Sequence, residues 1–184
     1  MALCARPVNS GVGRLRLLIV EMRKPTLIYP ESFDESRVPK SLRDDITNLF
    51  EKVGNWRASN VGNGELSHYK QIARVLGFRS EGNFQSFGRK KADLCKLYET
   101  EELTYQAVIE IETSTIENGY NDILKMMQLI KSGDMDYGVI IFVQNNRGSR
   151  PKLTESQLHS NLVNGLGKVL DDFRGKLFMY HVNP

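Results

Sequence analysis

Three acidic residues near the middle of the chain have the types and spacing to hold a hard cation. The segment 104–113, TYQAVIEIET, alternates and is rich in strand formers, so it reads as a β-strand. Side chains two apart on a strand share a face, which puts Glu110 and Glu112 together and turns Ile109 and Ile111 toward the core. Two glutamates side by side at the end of an apolar strand repel each other and resist burial. A divalent cation relieves that conflict. Asp93 lies on the preceding strand segment, RKKADLC, and a hairpin between the two segments brings its carboxylate beside Glu110. Mg²⁺ takes a few carboxylate oxygens and otherwise keeps water, so a three-carboxylate cluster on neighbouring strands meets its needs. In phosphodiester hydrolysis such an ion lowers the pKa of a bound water and stabilises charge on the scissile phosphate, while a further carboxylate orients or deprotonates that water. The same spacing also describes a strand's solvent face, with Lys or Arg counterions on the next strand.

Basic and amide side chains flank the acids. Arg89, Lys90 and Lys91 precede Asp93 and have the charge to neutralise DNA phosphates, or simply to solvate a turn. Arg147, Arg150 and Lys152 fall in a loop behind a buried strand, where binding residues gather. Asn145 and Asn146 add amides of the kind that read adenine. His68, His159 and His181 are scattered without ligand spacing, Trp56 has no assigned role, and Glu81 is at most a supplementary acid.

The elements that must position these groups alternate in period. Residues 23–39 carry three of the six prolines and read as irregular. A helix begins near Pro39, with Leu42, Ile46, Leu49, Phe50 and Val53 on one face. A second helix runs from about Ser67 as N-cap to Gly77 as its stop, with Tyr69, Ile72, Val75 and Leu76 inward. Residues 84–88 and 91–98 read as short strands before the acidic one. The next helix carries the stripe Ile116, Tyr120, Ile123, Leu124, Met127 and Ile130 and ends at Gly133. YGVIIFV, residues 137–143, reads as a buried strand. A capping box at Thr154–Gln157 opens a last helix with Leu158, Leu162, Leu166, Val169 and Phe173, stopped by Gly175. Residues 176–182 form a final strand. The pattern predicts an α/β fold: a central mixed β-sheet flanked by helices, as one domain over residues 1–184, with 1–21 as an N-terminal extension.

Composition narrows the class without naming it. The chain has 184 residues, 40% hydrophobic and 26% charged, with a net charge of +3. That modest charge leaves any positive potential confined to one cleft. Cys4 and Cys95 form neither a CxxC pair nor a disulfide framework, which suits the cytoplasm. No apolar run is long enough for a bilayer, so no membrane partner is expected.

The stretch from Lys90 to Val143 resembles the core of the BamHI-like group of type II restriction endonucleases, in the PD-(D/E)XK nuclease superfamily. The residues that carry the likeness are the basic run, Asp93, Glu110-Ile-Glu112-Thr113, Ile116, Leu124, Gly133, Asp136 and the strand GVIIF. The spacings from Asp93 to Glu110 and from Glu110 to Asp136 match without a gap. Most superfamily members carry Lys at the third catalytic position; here it is Glu112, as in the BamHI-like group. The resemblance implies a restriction endonuclease that cuts duplex DNA at a palindromic site as a homodimer. It implies Mg²⁺, with Mn²⁺ as a substitute, bound by Asp93, Glu110 and the carbonyl of Ile111. Glu112 would contact the metal and position the attacking water, and Lys70 in GNGELSHYK would stand near the site. The positions where that group reads bases correspond to Thr115, Glu117, Asn121, Leu153 and Thr154, and these do not reproduce its residues, so the target sequence stays open. Rival expectations are a repair or recombination nuclease of the same fold and a non-catalytic DNA-binding module.

Overall fold

The structure is a computed structural model that describes residues 25–30, 37–54, 64–83, 91–101, 103–113, 115–144 and 154–182. The elements are β1 (Thr26–Tyr29), α1 (Lys40–Gly54), α2 (Gly64–Val75), β2 (Arg79–Asn83), β3 (Lys91–Glu99), β4 (Thr104–Glu112), α3 (Ile116–Ser132), β5 (Tyr137–Val143), a composite helical segment, and β6 (Leu177–Val182). The strands form one mixed sheet in the order β1-β6-β5-β4-β3-β2. Strands β4, β5 and β6 are parallel neighbours, while β2, β3 and β4 form an antiparallel meander and β1 adds antiparallel to β6. The α/β class and the helix-flanked mixed sheet are as expected from the pattern.

Two apolar layers sandwich the sheet. On one side Leu42, Ile46 and Leu49 of α1 and Tyr69 and Ala73 of α2 pack on Ile109, Ile111, Val139, Ile141 and Phe178. On the other, Ile123, Met126, Met127 and Leu129 of α3 join Leu158, Leu162, Leu170 and Phe173 over Val108, Ile140 and Phe142. Burial on both faces explains why β5 reads as a continuous apolar run.

Helix α3 is well delimited, which matters for the site. Thr115 caps it by accepting the Asn118 N–H at 3.2 Å, and Gly133 closes it in the left-handed region at φ 76°. Gly119 lets this helix approach β5: a Cβ there would stand 2.8 Å from the Phe142 ring. Such close packing fixes the height of the next turn, which carries Asp122 and Lys125, over the sheet.

Several expectations are corrected. Residues 26–29, expected to be irregular, form β1, because β6 offers an edge that pairs Thr26 with His181 and Leu27 with Tyr180. Helix α2 begins at Gly64, so Ser67 lies inside it rather than capping it. The strand expected at 84–88 lies outside the described residues; the strand that pairs with β3 is β2, at Arg79–Asn83. Val75 and Leu124, placed inward by periodicity, are exposed. The last helix is not continuous. It comprises Glu155–Gln157, a π-helical stretch Leu158–Val163, Asn164–Leu166 and a 3-10 stretch Gly167–Phe173. The changes of winding at the π stretch and at Gly167 shift the phase, so Val169 turns outward and Leu170 inward. Its capping box at Thr154 and Gln157 is formed as the sequence predicts.

Candidate active site

The acids sit where β3 parts from β4. The β3–β4 register runs from Glu99↔Thr104 to Leu94↔Ile109. Next in line, Asp93 uses its side chain in place of the ladder: Oδ2 accepts the Ile111 N–H at 3.1 Å. The carboxylate is thereby held against the strand that carries Glu110 and Glu112. Beyond Ile109, β4 continues to pair with β5, through Glu110↔Ile140 and Glu112↔Phe142. Glu110 is 5% and Glu112 8% exposed, far more buried than a solvent face allows.

Two lysines reach this point from opposite layers. Lys70 of α2 stands 2.6 Å from Asp93 Oδ1, in a half-buried pair. Lys125 of α3 stands 2.5 Å from Glu110 Oε1 and 3.1 Å from Asp122 Oδ1, with its side chain only 10% exposed. It donates a hydrogen bond to Asp122. Toward Glu110 Oε1 the contact is an ion pair, and that buried oxygen has no aligned hydrogen-bond donor.

The electrostatics follow from burial. Desolvation pushes the Glu110 carboxyl up from 4.5 to about 7; Lys125 opposes this, and the charges of Asp93 and Asp122 add to it. Burial likewise raises Asp122, against Lys125 and with help from Glu112 and Asp93. For Lys125 burial works toward a lower pKa, but the Glu110 and Asp122 carboxylates outweigh it and hold the ammonium charged. These couplings join Asp93, Glu110, Glu112, Asp122 and Lys125 into one electrostatic unit.

The structure thus brings together Asp93, Glu110, Ile111 and Lys70, with Glu112 beside them. Asp122 and Lys125 join them although sequence reasoning missed both. The available signal was the i, i+3 pair flanking the buried stripe of α3, in line with Leu129. Thr115 serves as the α3 N-cap. Lys91 opens β3, with its side chain outside the described atoms, as is that of Glu81 on β2. Arg89, Lys90, Asn145, Asn146, Arg147, Arg150, Lys152, Trp56 and residues 1–21 lie outside the described residues. His181 is buried on β6, in register with Phe142 of β5.

The donors suit a hard cation by type, being carboxylates and a backbone carbonyl, but Glu110 Oε1 faces the Lys125 ammonium at 2.5 Å and Asp93 Oδ1 the Lys70 ammonium at 2.6 Å. Among the described residues no group of three His, Cys, Asp or Glu side chains is disposed to hold a metal ion. Mg²⁺, however, is commonly held by one or two carboxylates, with water and substrate phosphate completing its shell. Asp93 and Glu110 are two carboxylates of that kind, near enough for the Asp93 charge to act on Glu110. Among the described residues no helix is long and apolar enough to cross a membrane. In comparisons with known proteins, the chain matches no family model and no curated protein.

Proposed function

We propose that this chain is a Mg²⁺-dependent endodeoxyribonuclease of the PD-(D/E)XK type, acting in the cytoplasm as a restriction endonuclease on a palindromic site in duplex DNA. The observation that carries the reading is the convergence of Asp93 on the Ile111 N–H, beside the buried Glu110, where β3 leaves β4. A strand face that served only solubility would not bury two glutamates over a helix that supplies a lysine.

In this reading Asp93, Glu110 and the Ile111 carbonyl hold the cation, and Mn²⁺ substitutes for Mg²⁺. When bound, the ion supplies a water of lowered pKa and charge stabilisation at the scissile phosphate. Glu112, on the face of Glu110, orients the attacking water and accepts its proton. Lys70, whose ammonium stands 2.6 Å from Asp93 Oδ1, would supply a positive charge to a phosphate bound beside that carboxylate. Arg89, Lys90 and Lys91, which precede Asp93 in the sequence, neutralise the DNA backbone, and Asn145, Asn146, Arg147, Arg150 and Lys152, which follow β5 in the sequence, add further DNA contacts. A palindromic target calls for a two-fold homodimer, whose interface we assign to the segments 115–131 and 157–174.

A second reading has its own support. Lys70 and Lys125 already compensate Asp93 and Glu110, as they would in a non-catalytic DNA-binding module whose ion pairs are structural. Incubation of the chain with plasmid and phage DNA plus Mg²⁺, followed by sequencing of the ends, separates the possibilities. Discrete ends at one short sequence support restriction. Ends scattered or confined to unusual DNA structures indicate a repair or recombination nuclease of the same fold. Binding without metal-dependent cleavage leaves the module.

A further inference from the structure

The two faces of the sheet are not covered to the same width. On the face of α1 and α2 the cover extends over β3, where Leu94 and Tyr98 are buried. On the other face the layer of α3 and the last helical segment covers β4, β5 and β6 and reaches β3 only at Ala92 and the half-buried Cys95. Leu97, next on that face of β3, is 57% exposed, and Glu99 beyond it is exposed too. The acids open toward this uncovered part. Glu110 lies under Lys125, with its side chain 6% exposed, whereas the Asp93 side chain is 23% exposed. With α3 over Glu110 and Lys70 of α2 on Asp93, a substrate reaches the acids over β3 and β2.

Arg79 stands on that approach. It opens the edge strand β2 and is in register with Cys95 of β3. Antiparallel partners point to the same face, so Arg79, Cys95 and Val108 form one row across the sheet, next to the row of Asp93 and Glu110. Arg79 lies one strand across and two residues along from Asp93, about 8 Å between Cα atoms on standard strand spacings. Its side chain is exposed, and no acid among the described residues is paired with it. Lys40 and Arg174, also at the surface, are engaged by Asp44 and Asp171.

We infer that Arg79 binds a backbone phosphate of the DNA strand being cut, beside the scissile one, and that this strand runs over the uncovered face of β2 and β3. The inference deepens the DNA reading of the site and rests on it. The argument is one of position and charge. A cluster of carboxylates repels a polyanion. A guanidinium one row away on the same face offsets that repulsion, and its planar fork of donors matches two phosphate oxygens at once. Being anchored on a strand of the same sheet as the acids, it also fixes the direction in which the DNA strand passes them.

Fluorescence anisotropy of a labelled DNA duplex, titrated with the full chain without divalent metal across a series of KCl concentrations, tests this. Each phosphate neutralised contributes about 0.9 to the slope of log affinity against log salt. Arg79→Ala should therefore lower that slope by about 0.9 per chain and weaken binding about eightfold at about 0.1 M KCl. Arg79→Lys keeps the charge and should keep the slope, and Lys40→Ala, on α1 across the sheet, should change neither quantity. An unchanged slope in Arg79→Ala would overturn the inference, while cutting by the wild type with Mg²⁺, read separately, still decides the nuclease reading. An equal fall in Arg79→Lys would mark a structural role, and an equal fall in Lys40→Ala a general effect of charge; either would overturn the inference. A wild type that neither binds the duplex nor cuts DNA would overturn both. If circular dichroism shows Arg79→Ala unfolded, Arg79→Gln, which keeps most of the stem, decides in the same way.

Discussion

Replacing Lys125 with Met removes the cation that two buried carboxylates share and leaves a side chain of similar length to fill the space. Breaking a buried pair by deleting one partner costs about 3–5 kcal/mol when the remaining charge is uncompensated. Here the cost depends on pH, because Glu110 can escape by taking a proton. With its carboxyl at about 7 in the wild type, Glu110 is neutral at pH 5 and mostly ionised at pH 8. Without Lys125 the carboxyl rises further and stays protonated at both values. The wild type therefore gains ionisation free energy at pH 8 that the variant does not, about 1.4 kcal/mol for the one unit between 7 and 8. Asp122, raised by burial and relieved by the same lysine, adds in the same direction. Urea unfolding of both proteins at pH 5 and pH 8 without divalent metal reads this directly. The loss of stability should be larger at pH 8 by about 1–2 kcal/mol. Equal losses at the two pH values would show that Lys125 does not neutralise Glu110 and would refute the reasoning.

The remaining predictions concern the acids and the frame that holds them. Asp93→Ala, Glu110→Ala and Glu112→Ala should each abolish Mg²⁺-dependent cleavage while leaving DNA affinity in a mobility-shift assay equal or higher, since each removes a charge that repels phosphate; near-normal cleavage by any one would remove that residue from the site. In the wild type, Glu110 binds its proton more tightly folded than unfolded, so the stability this confers is fully present below about 4.5 and is lost as pH rises through about 7. Metal affinity should run the other way, falling about tenfold per pH unit below 7 as the proton competes for Glu110, which calorimetry across pH 5.5–8 would measure. Gly119→Ala should cost about 1–3 kcal/mol in urea unfolding, because its Cβ meets the Phe142 ring at 2.8 Å.

Much of this arrangement is legible in the sequence where one local pattern decides. Helix α3 announces itself by its stripe and its Gly133 stop, and β4 and β5 by alternation and by an unbroken apolar run; the Thr115 cap comes from the structure. The pairing of Asp93 with the acidic strand follows from hairpin logic, and the structure adds that a side chain replaces a rung of the ladder there. What local pattern cannot supply is partnership across distance. β1 is a four-residue run among prolines and becomes a strand only because β6 offers an edge. The phase of the last helical segment is lost at its π stretch and at Gly167, which periodicity does not anticipate. Lys125 and Asp122 look like the polar flank of an amphipathic helix. They become part of the site only because Gly119 seats α3 against β5, and that contact belongs to packing.

The most direct test of the central claim is a crystal of the chain grown with Mn²⁺ and measured at the manganese absorption edge. The account predicts an anomalous peak within coordinating distance of both the Asp93 and Glu110 carboxylates and beside the Ile111 carbonyl. A site left without a peak at millimolar Mn²⁺, with Lys70 still on Asp93 and Lys125 still on Glu110, would contradict it.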